Sequence, residues 1–347
     1  MDRAMNTLDE QMQEAVHRFF TQESSTQRLR CLYENKDARL LQLWQQISEM
    51  GLLVSRVDPE YGGLGLGMLA ATQLANEAGR ALLPLPLSIA MAAAPVLLAN
   101  KERLSAEWQD NIQAIYFTGE QLLHLAMPWD KDHWRIDFAN IPGPALWKDG
   151  SQLGLRALDS QTSYYGIDKS IATTMISQRD FVHTVALPVA NDEATTRFEQ
   201  TLRLMWIAEL NGVAQSALDQ ALAYAKEREQ FGKPIGANQA IKHRFADLWM
   251  ALDNAQLAVD DAAMQFDKES EFAIQSGLDI SQYVAMQAAK AITSYAIQVF
   301  GAMGVTWECD IHMYLKRCRY LCALLDKICP SNLLLKNLWS DEQVMGV

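Results

Sequence analysis

YAKEREQFGKPIGANQAIKHRFADL, residues 224–248, joins two long apolar helices through a short polar break, and the rest of the chain can be placed around it. Upstream, Leu202, Met205, Ala208, Leu210, Val213, Leu218, Leu222 and Ala225 recur at the spacing of a helix with a buried face. Gly232 and Pro234 end that periodicity, since glycine relaxes the backbone limits and proline has no amide hydrogen. With Gly236 they predict a tight connection into the next helix. From Asn238 the helical pattern resumes through Ile241, Phe245, Leu248, Leu252, Leu257 and Ala258. The break thus presents Arg228, Gln230 and Phe231 on one side, and Asn238 and Gln239 at a new helix N-terminus on the other. A helix start leaves amide N–H groups unpaired and carries partial positive charge, so beside an arginine it suits a phosphate or pyrophosphate. A nearby aromatic can cover a flat ring. An ordinary helical hairpin, with Arg228 in solvent and Phe231 in the core, is the other reading of the same residues.

The chain's 347 residues allow two or three domains, or one large domain with a subdivided core. Hydrophobic residues at 49 % and charged residues at 21 % place it among soluble globular proteins. A net charge of -12 and the lack of a basic run argue against a nucleic-acid binder, which needs clustered positive charge. Cys31, Cys309, Cys318, Cys322 and Cys329 are odd in number and form no CxxC pattern, so a reducing, cytoplasmic setting is expected rather than a disulfide framework. Cys318 and Cys322 are one helical turn apart, which allows a metal pair or simple core packing. The start, MDRAMNTLDEQ, has no apolar signal segment. Residues 81–99 are uncharged and nearly of membrane length, yet Pro84, Pro86 and Pro95 would leave backbone groups unpaired in lipid. A buried helix after an extended turn is expected, with no membrane span.

The expected fold class is mainly α with a small β insert. Residues 1–112 form an N-terminal helical domain, with helices near 8–20, 38–50, 68–80 and 87–98. Within it, YGGLGLG at 61–67 follows a helix and a polar turn rather than a strand, so a chain reversal is expected there and not a phosphate cradle. Residues 113–197 form a reduced middle antiparallel β domain, with strands near 114–118, 122–127, 145–148, 152–158, 171–176 and 182–187. Asp149-Gly150 marks a hairpin inside it, and Trp129, Trp134 and Trp147 read as its core. Residues 198–347 form a C-terminal helical domain. It adds a helix at 280–300, the loop GAMG at 301–304, a helix through Ile311, Tyr314, Leu315, Cys318 and Leu321, and a last helix at 333–339. Residues 201–325 suit an antiparallel four-helix bundle. His17, His124, His133, His183, His243 and His312 show no catalytic spacing and read as packing or surface.

REQFGKPIGANQAIKH at 228–243 and QVFGAMGVTWECDIHMYLKRC at 298–318 resemble, in order and gap, the two signatures of the acyl-CoA dehydrogenase family. With the helix, sheet, helix texture, the resemblance covers nearly the whole chain. It implies FAD held between subunits and α,β-dehydrogenation of an acyl-CoA thioester, a carboxylate taking the α-proton and hydride passing to the flavin. Electrons then pass to an electron-transferring flavoprotein. Carried over by position, Arg228, Gln230 and Phe231 would contact the pyrophosphate and adenine side of the flavin across a subunit interface. Asn238 and Gln239 match the pair after the break, and Gln298, Gly301 and Ala302 belong to the loop that receives the adenine end.

The departures concern the base, a glutamate in the family. One of its two places falls on Leu202, although Arg203 beside it fits the pattern. The other falls near Leu325 and Asp326, where only Asp326 could serve, its oxygen on the order of 1.5 Å short of a glutamate's. A helix-end aspartate is the alternative. The middle tract also lacks the family's threonine-glutamate-proline and glycine-serine-aspartate segments, and residues 124–129 stand in their place. These features, with EAGRALLPLPLS at 77–88, resemble one subunit of the heteromeric acyl-CoA dehydrogenases of bacterial steroid degradation, in which two unlike chains share the flavin and one supplies the base. The resemblance therefore implies a related partner subunit and a bulky acyl-CoA. A self-sufficient homo-oligomer using Asp326 and a flavin-free structural partner remain as alternatives.

Overall fold

The computed structural model describes residues 10–23, 26–34, 39–149, 152–158, 163–182, 187–188, 192–266 and 271–334. Six helices open the chain: α1 (Glu10–Glu23), α2 (Thr26–Tyr33), α3 (Leu40–Glu49), α4 (Met68–Arg80), α5 (Leu87–Ala99) and α6 (Ala106–Tyr116). The strands β1 (His124–Pro128), β2 (His133–Asp137), β3 (Ala145–Asp149), β4 (Gln152–Arg156), β5 (Tyr164–Tyr165) and β6 (Ala172–Ser177) follow, then a short helix α7 (Gln178–Val182) and the strand β7 (Leu187–Pro188). The chain continues with α8 (Asp192–Glu227), the two-residue strands β8 (Glu229–Gln230) and β9 (Lys233–Pro234), and the helices α9 (Gln239–Phe266), α10 (Glu271–Phe300) and α11 (Ile311–Ile328). These elements fall into two compact units, one from Gln22–Ala71 and Pro84–Leu202, the other from Gln13–Thr21, Thr72–Leu83 and the chain from Arg203 on.

The first unit contains the sheet, in the order β5-β6-β2-β1-β3-β4-β7. Every pairing is antiparallel except β1–β3, which is parallel, so the expectation of an antiparallel sheet is corrected at that one ladder. A parallel pair needs a crossover, and β2 supplies it by leaving β1 on one side while the chain returns to the other. Ala126, Trp134, Ile136, Ala145 and Ile176 bury together, with Trp147 packed against them. The expected strand at 114–118 is instead the end of α6, whose Trp108, Ile112, Ile115 and Tyr116 are buried at helical spacing. The expected strand at 182–187 meets the end of α7 at Val182 and β7 at Leu187, and residues 183–186 lie outside the described residues. So do Gly150 of the expected hairpin, although its flanking strands pair, His183, and most of the helix expected at 333–339.

The proline-broken apolar run forms α5, buried along nearly its whole length, with Pro86 just before it and Pro95 inside it. Among the described residues no helix is long and apolar enough to cross a membrane. In the glycine loop, Gly63, Leu64, Gly65 and Leu66 donate their amides to the carbonyls of Asp58, Val54, Val57 and Ser55. Those amides are spent on a chain reversal and are not aimed at a ligand.

The second unit is the helical bundle. Val213, Ala217, Ala221 and Ala225 of α8, Leu248, Leu252, Ala255 and Val259 of α9, Ala285, Ala289 and Ile292 of α10, and Cys318, Leu321 and Leu325 of α11 are all buried. Each large aliphatic buried in this way contributes about 1.5–3 kcal/mol. Leu222 and Leu257, read as helix-core positions from their spacing, are exposed. α10 begins at Glu271, earlier than the expected residue 280. Cys318 and Cys322 sit in the bundle core, and among the described residues no group of three histidine, cysteine, aspartate or glutamate side chains could hold a metal.

Candidate functional site

α8 ends where the Arg228 amide bonds to the Tyr224 carbonyl at 2.8 Å. β8 and β9 then form a minimal hairpin, with Glu229 opposite Pro234 and Gln230 opposite Lys233. Its two turn residues, Phe231 and Gly232, have φ of 54° and 78°. Positive φ at both central residues is the pattern of tight hairpin turns, and glycine takes it without strain. Phe231 takes it at a cost and is also 100 % exposed, so the core placement allowed by the simple helical-hairpin reading is excluded. A hairpin of two short strands therefore stands where a plain turn between helices was expected.

After one 3-10 turn the chain enters α9, and the amides of Ile241 and Lys242 bond to the Asn238 carbonyl. Arg228, Gln230, Asn238 and Gln239 are all exposed. The second expected junction follows α10, where Gln298, Gly301 and Ala302 are exposed and Gly301 has a φ of 64°. The rings of Tyr224 and Phe300 stack at 4.2 Å between centroids, 18° from parallel. That contact ties the end of α8 to the end of α10, so both junctions lie at one end of the bundle.

The base positions lie elsewhere. Leu202 is 2 % exposed on α8, about 39 Å of helix before Arg228 at 1.5 Å per residue. Arg203 beside it is buried and donates to Asp279 at 2.6 Å and Gln282 at 2.7 Å. Gln282 in turn donates to the Cys329 carbonyl at 2.8 Å. Asp326, near the end of α11, accepts from the Ser331 amide at 3.1 Å and from the Ser331 hydroxyl. Apart from Arg203 and Asp326, this set of polar groups was missed from sequence. The available signal was Asp279 and Gln282, three residues apart on one face of the helix.

The donor set at the junctions fits a dinucleotide. A guanidinium answers a pyrophosphate, side-chain amides at a helix start answer its oxygens, and a flat ring with nothing over it answers a base or flavin. Phe231 has no cover within its own chain, which suits a group held from outside that chain.

Helices, then a seven-stranded sheet, then long helices with an exposed hairpin between α8 and α9, define a protein of the helix, sheet, helix class. The acyl-CoA dehydrogenase N-terminal domain matches residues 7–112 and the acyl-CoA dehydrogenase C-terminal domain matches residues 194–323. The chain belongs to the acyl-CoA dehydrogenase family. It is 28 % identical over 324 residues to the acyl-CoA dehydrogenase IpdE2 of Mycolicibacterium smegmatis, covering 91 % of this chain and 94 % of that one. It superposes on a chain of the ChsE4-ChsE5 complex from Mycobacterium tuberculosis with a TM-score of 0.81 at 18 % identity, over 100 % of both chains. It superposes on a variant of the Tcur3481-Tcur3483 steroid ACAD with a TM-score of 0.75 at 23 % identity, over 94 % of this chain and 96 % of that one.

Proposed function

We propose that this chain is one subunit of a heteromeric FAD-dependent acyl-CoA dehydrogenase that acts on a bulky, steroid-derived acyl-CoA thioester and leaves the catalytic base to a related partner chain. One observation carries the reading: at the family's two base positions stand a buried Leu202 and an Asp326 already engaged by Ser331. A leucine accepts no proton, and a carboxylate holding a turn is poorly placed to reach a substrate. The likeness to a complex of two named chains and to a steroid ACAD supports the partner and the substrate class.

FAD, when bound, supplies the two-electron acceptor for α,β-dehydrogenation. In this reading Arg228 neutralises pyrophosphate charge, Gln230, Asn238 and Gln239 bond its oxygens, and Phe231 lies against a ring. Gln298, Gly301 and Ala302 receive the adenine end of a flavin whose other end belongs with the partner. In this reading the chain divides into an N-terminal helical domain at 1–112, a reduced middle β domain at 113–197 and a C-terminal helical bundle domain at 198–347. The enzyme works in the cytoplasm and passes its electrons to an electron-transferring flavoprotein.

The test is to purify the chain alone and after co-expression with a related chain, recording flavin absorbance and dehydrogenation of a steroid acyl-CoA. The expected result is a flavin-poor, inactive single chain and a yellow, active complex. In that complex Asp326→Asn retains activity within about tenfold, whereas loss of a true general base costs about 10²–10⁴-fold. Full activity of the isolated chain would refute the heteromer and favour Asp326 as base, and a colourless complex would make this chain a scaffold.

A further inference from the structure

α9 and α10 pack along each other in the second unit and turn a common side outward. On α9 that side carries Ala246, Met250, Leu257 and Met264, all exposed and spaced by four, seven and seven residues. Such steps keep side chains on one face of a helix, and this face lies opposite the one that buries Phe245, Leu252 and Val259. The outward face of a surface helix is ordinarily polar. Here Asn254 and Asp261 only interrupt an apolar stripe.

α10 continues the face. Among its described residues the exposed ones, Gln275, Ile280, Gln287, Ser294 and Gln298, carry no charge. α9 has 28 residues and is therefore about 42 Å long, and two helices side by side are about 20 Å wide. The face measures roughly 800 Å², which is what one partner contributes to a stable interface. The charge along α9 runs one way. Its basic residues, Lys242, His243 and Arg244, all fall within the first two turns, and its carboxylates, Asp247, Asp253, Asp260 and Asp261, all follow them.

We propose that two copies of this chain pair through this face, with α9 antiparallel to α9 about a two-fold axis. A register that sets Ala246 of one copy opposite Leu257 of the other brings Lys242 and His243, four and three residues earlier, against Asp261 and Asp260, four and three residues later. The two-fold axis makes each of these contacts twice, as an isologous interface requires. A parallel pair would set the basic ends together and the acidic ends together. One helix holds both halves of the charge match, which is the pattern of a surface that fits itself. The face runs along the bundle away from the hairpin at 229–234, so the contact does not rest on the flavin reading.

The test is sedimentation equilibrium of the full chain without flavin or a second protein, which is expected to show a dimer at about 20 μM. Leu257→Asp is expected to raise the dissociation constant at least about tenfold, because it sets a charge in the middle of the buried stripe. Lys242→Glu and Asp261→Lys are each expected to raise it about threefold or more, and the double variant, which exchanges the two charges, to return it to within about twofold. Lys242 and Asp261 lie about 28 Å apart along one helix, so that recovery reports a contact between copies. All three side chains are exposed, and an unchanged far-ultraviolet circular dichroism spectrum checks that each variant is folded. A monomer at every concentration, a dimer that Leu257→Asp leaves unchanged, or a double variant no tighter than the single ones would each overturn the proposal. A chain that is monomeric alone and loses only a mixed complex on Leu257→Asp would overturn it too, and would give the face to an unlike partner.

Discussion

His124 opens β1 with both ring nitrogens against main-chain carbonyls, Nδ1 at 3.1 Å from Asp137 and Nε2 at 3.0 Å from Ile141. A neutral ring donates from one nitrogen only, so the second carbonyl is met by a proton only in the charged form. Burial wins over these contacts and lowers the pKa from 6.5 to about 4. Between those values the unfolded chain binds the proton and the folded chain does not, so stability falls with falling pH. The loss is about 3 kcal/mol in all. Urea unfolding of the chain and of His124→Asn between about pH 7 and pH 4 is expected to show this loss in the first and not in the second. Arg317, buried on α11, donates to the Leu83 carbonyl at 2.9 Å and the Leu82 carbonyl at 3.3 Å, and lies 3.7 Å from Glu209. It holds the turn after α4, where Leu82 takes a φ of 51°. Arg317→Met removes the donor that holds the Leu82 and Leu83 carbonyls, and urea unfolding is expected to show a loss of about 3 kcal/mol.

Among the elements, α4 and α8 approach closely because each carries a glycine at the contact. A Cβ on Gly79 would meet the Glu209 carbonyl oxygen at 2.0 Å, and one on Gly212 would meet that of Asn76 at 1.9 Å. Gly212→Ala is therefore expected to push the helices apart and cost about 1–3 kcal/mol, read as a lower melting temperature of the full chain. α4 was legible from sequence over its full span, as were the cores of α3 and α5, because their apolar residues keep helical spacing and punctuation marks their ends. α6 was not among the expected helices, and its end was misread as a strand because Ile115, Tyr116 and Phe117 together look like strand residues; burial against α5, where Tyr116 bonds the Ala90 carbonyl, overrode that propensity. β2 was missed because HWRID carries charge; Arg135 is held by Asp137 at 2.9 Å, which makes a central strand of it. The junction residues were legible as a group from their motif. Their hairpin was not, since Phe231 at positive φ is a choice that local preference disfavours.

At the scale of the whole molecule, α9 leaves Trp249, Met250, Leu257 and Met264 exposed, more apolar surface than one helix of a lone chain ordinarily shows. This agrees with membership in an oligomer. Phe231→Ala changes a side chain that touches nothing in its own chain, so the melting temperature of the isolated chain is expected to stay within the equivalent of about 0.5 kcal/mol. Flavin content of the co-expressed complex, measured by absorbance after gel filtration, is expected to fall; an unchanged flavin content would separate Phe231 from the cofactor. The ring stack of Tyr224 on Phe300 has a consequence for such an assembly. It rivets two helix ends that are about 75 residues apart in the chain into one stiff jaw, so a neighbour docking there meets a surface already set and little freedom is forfeited on closing.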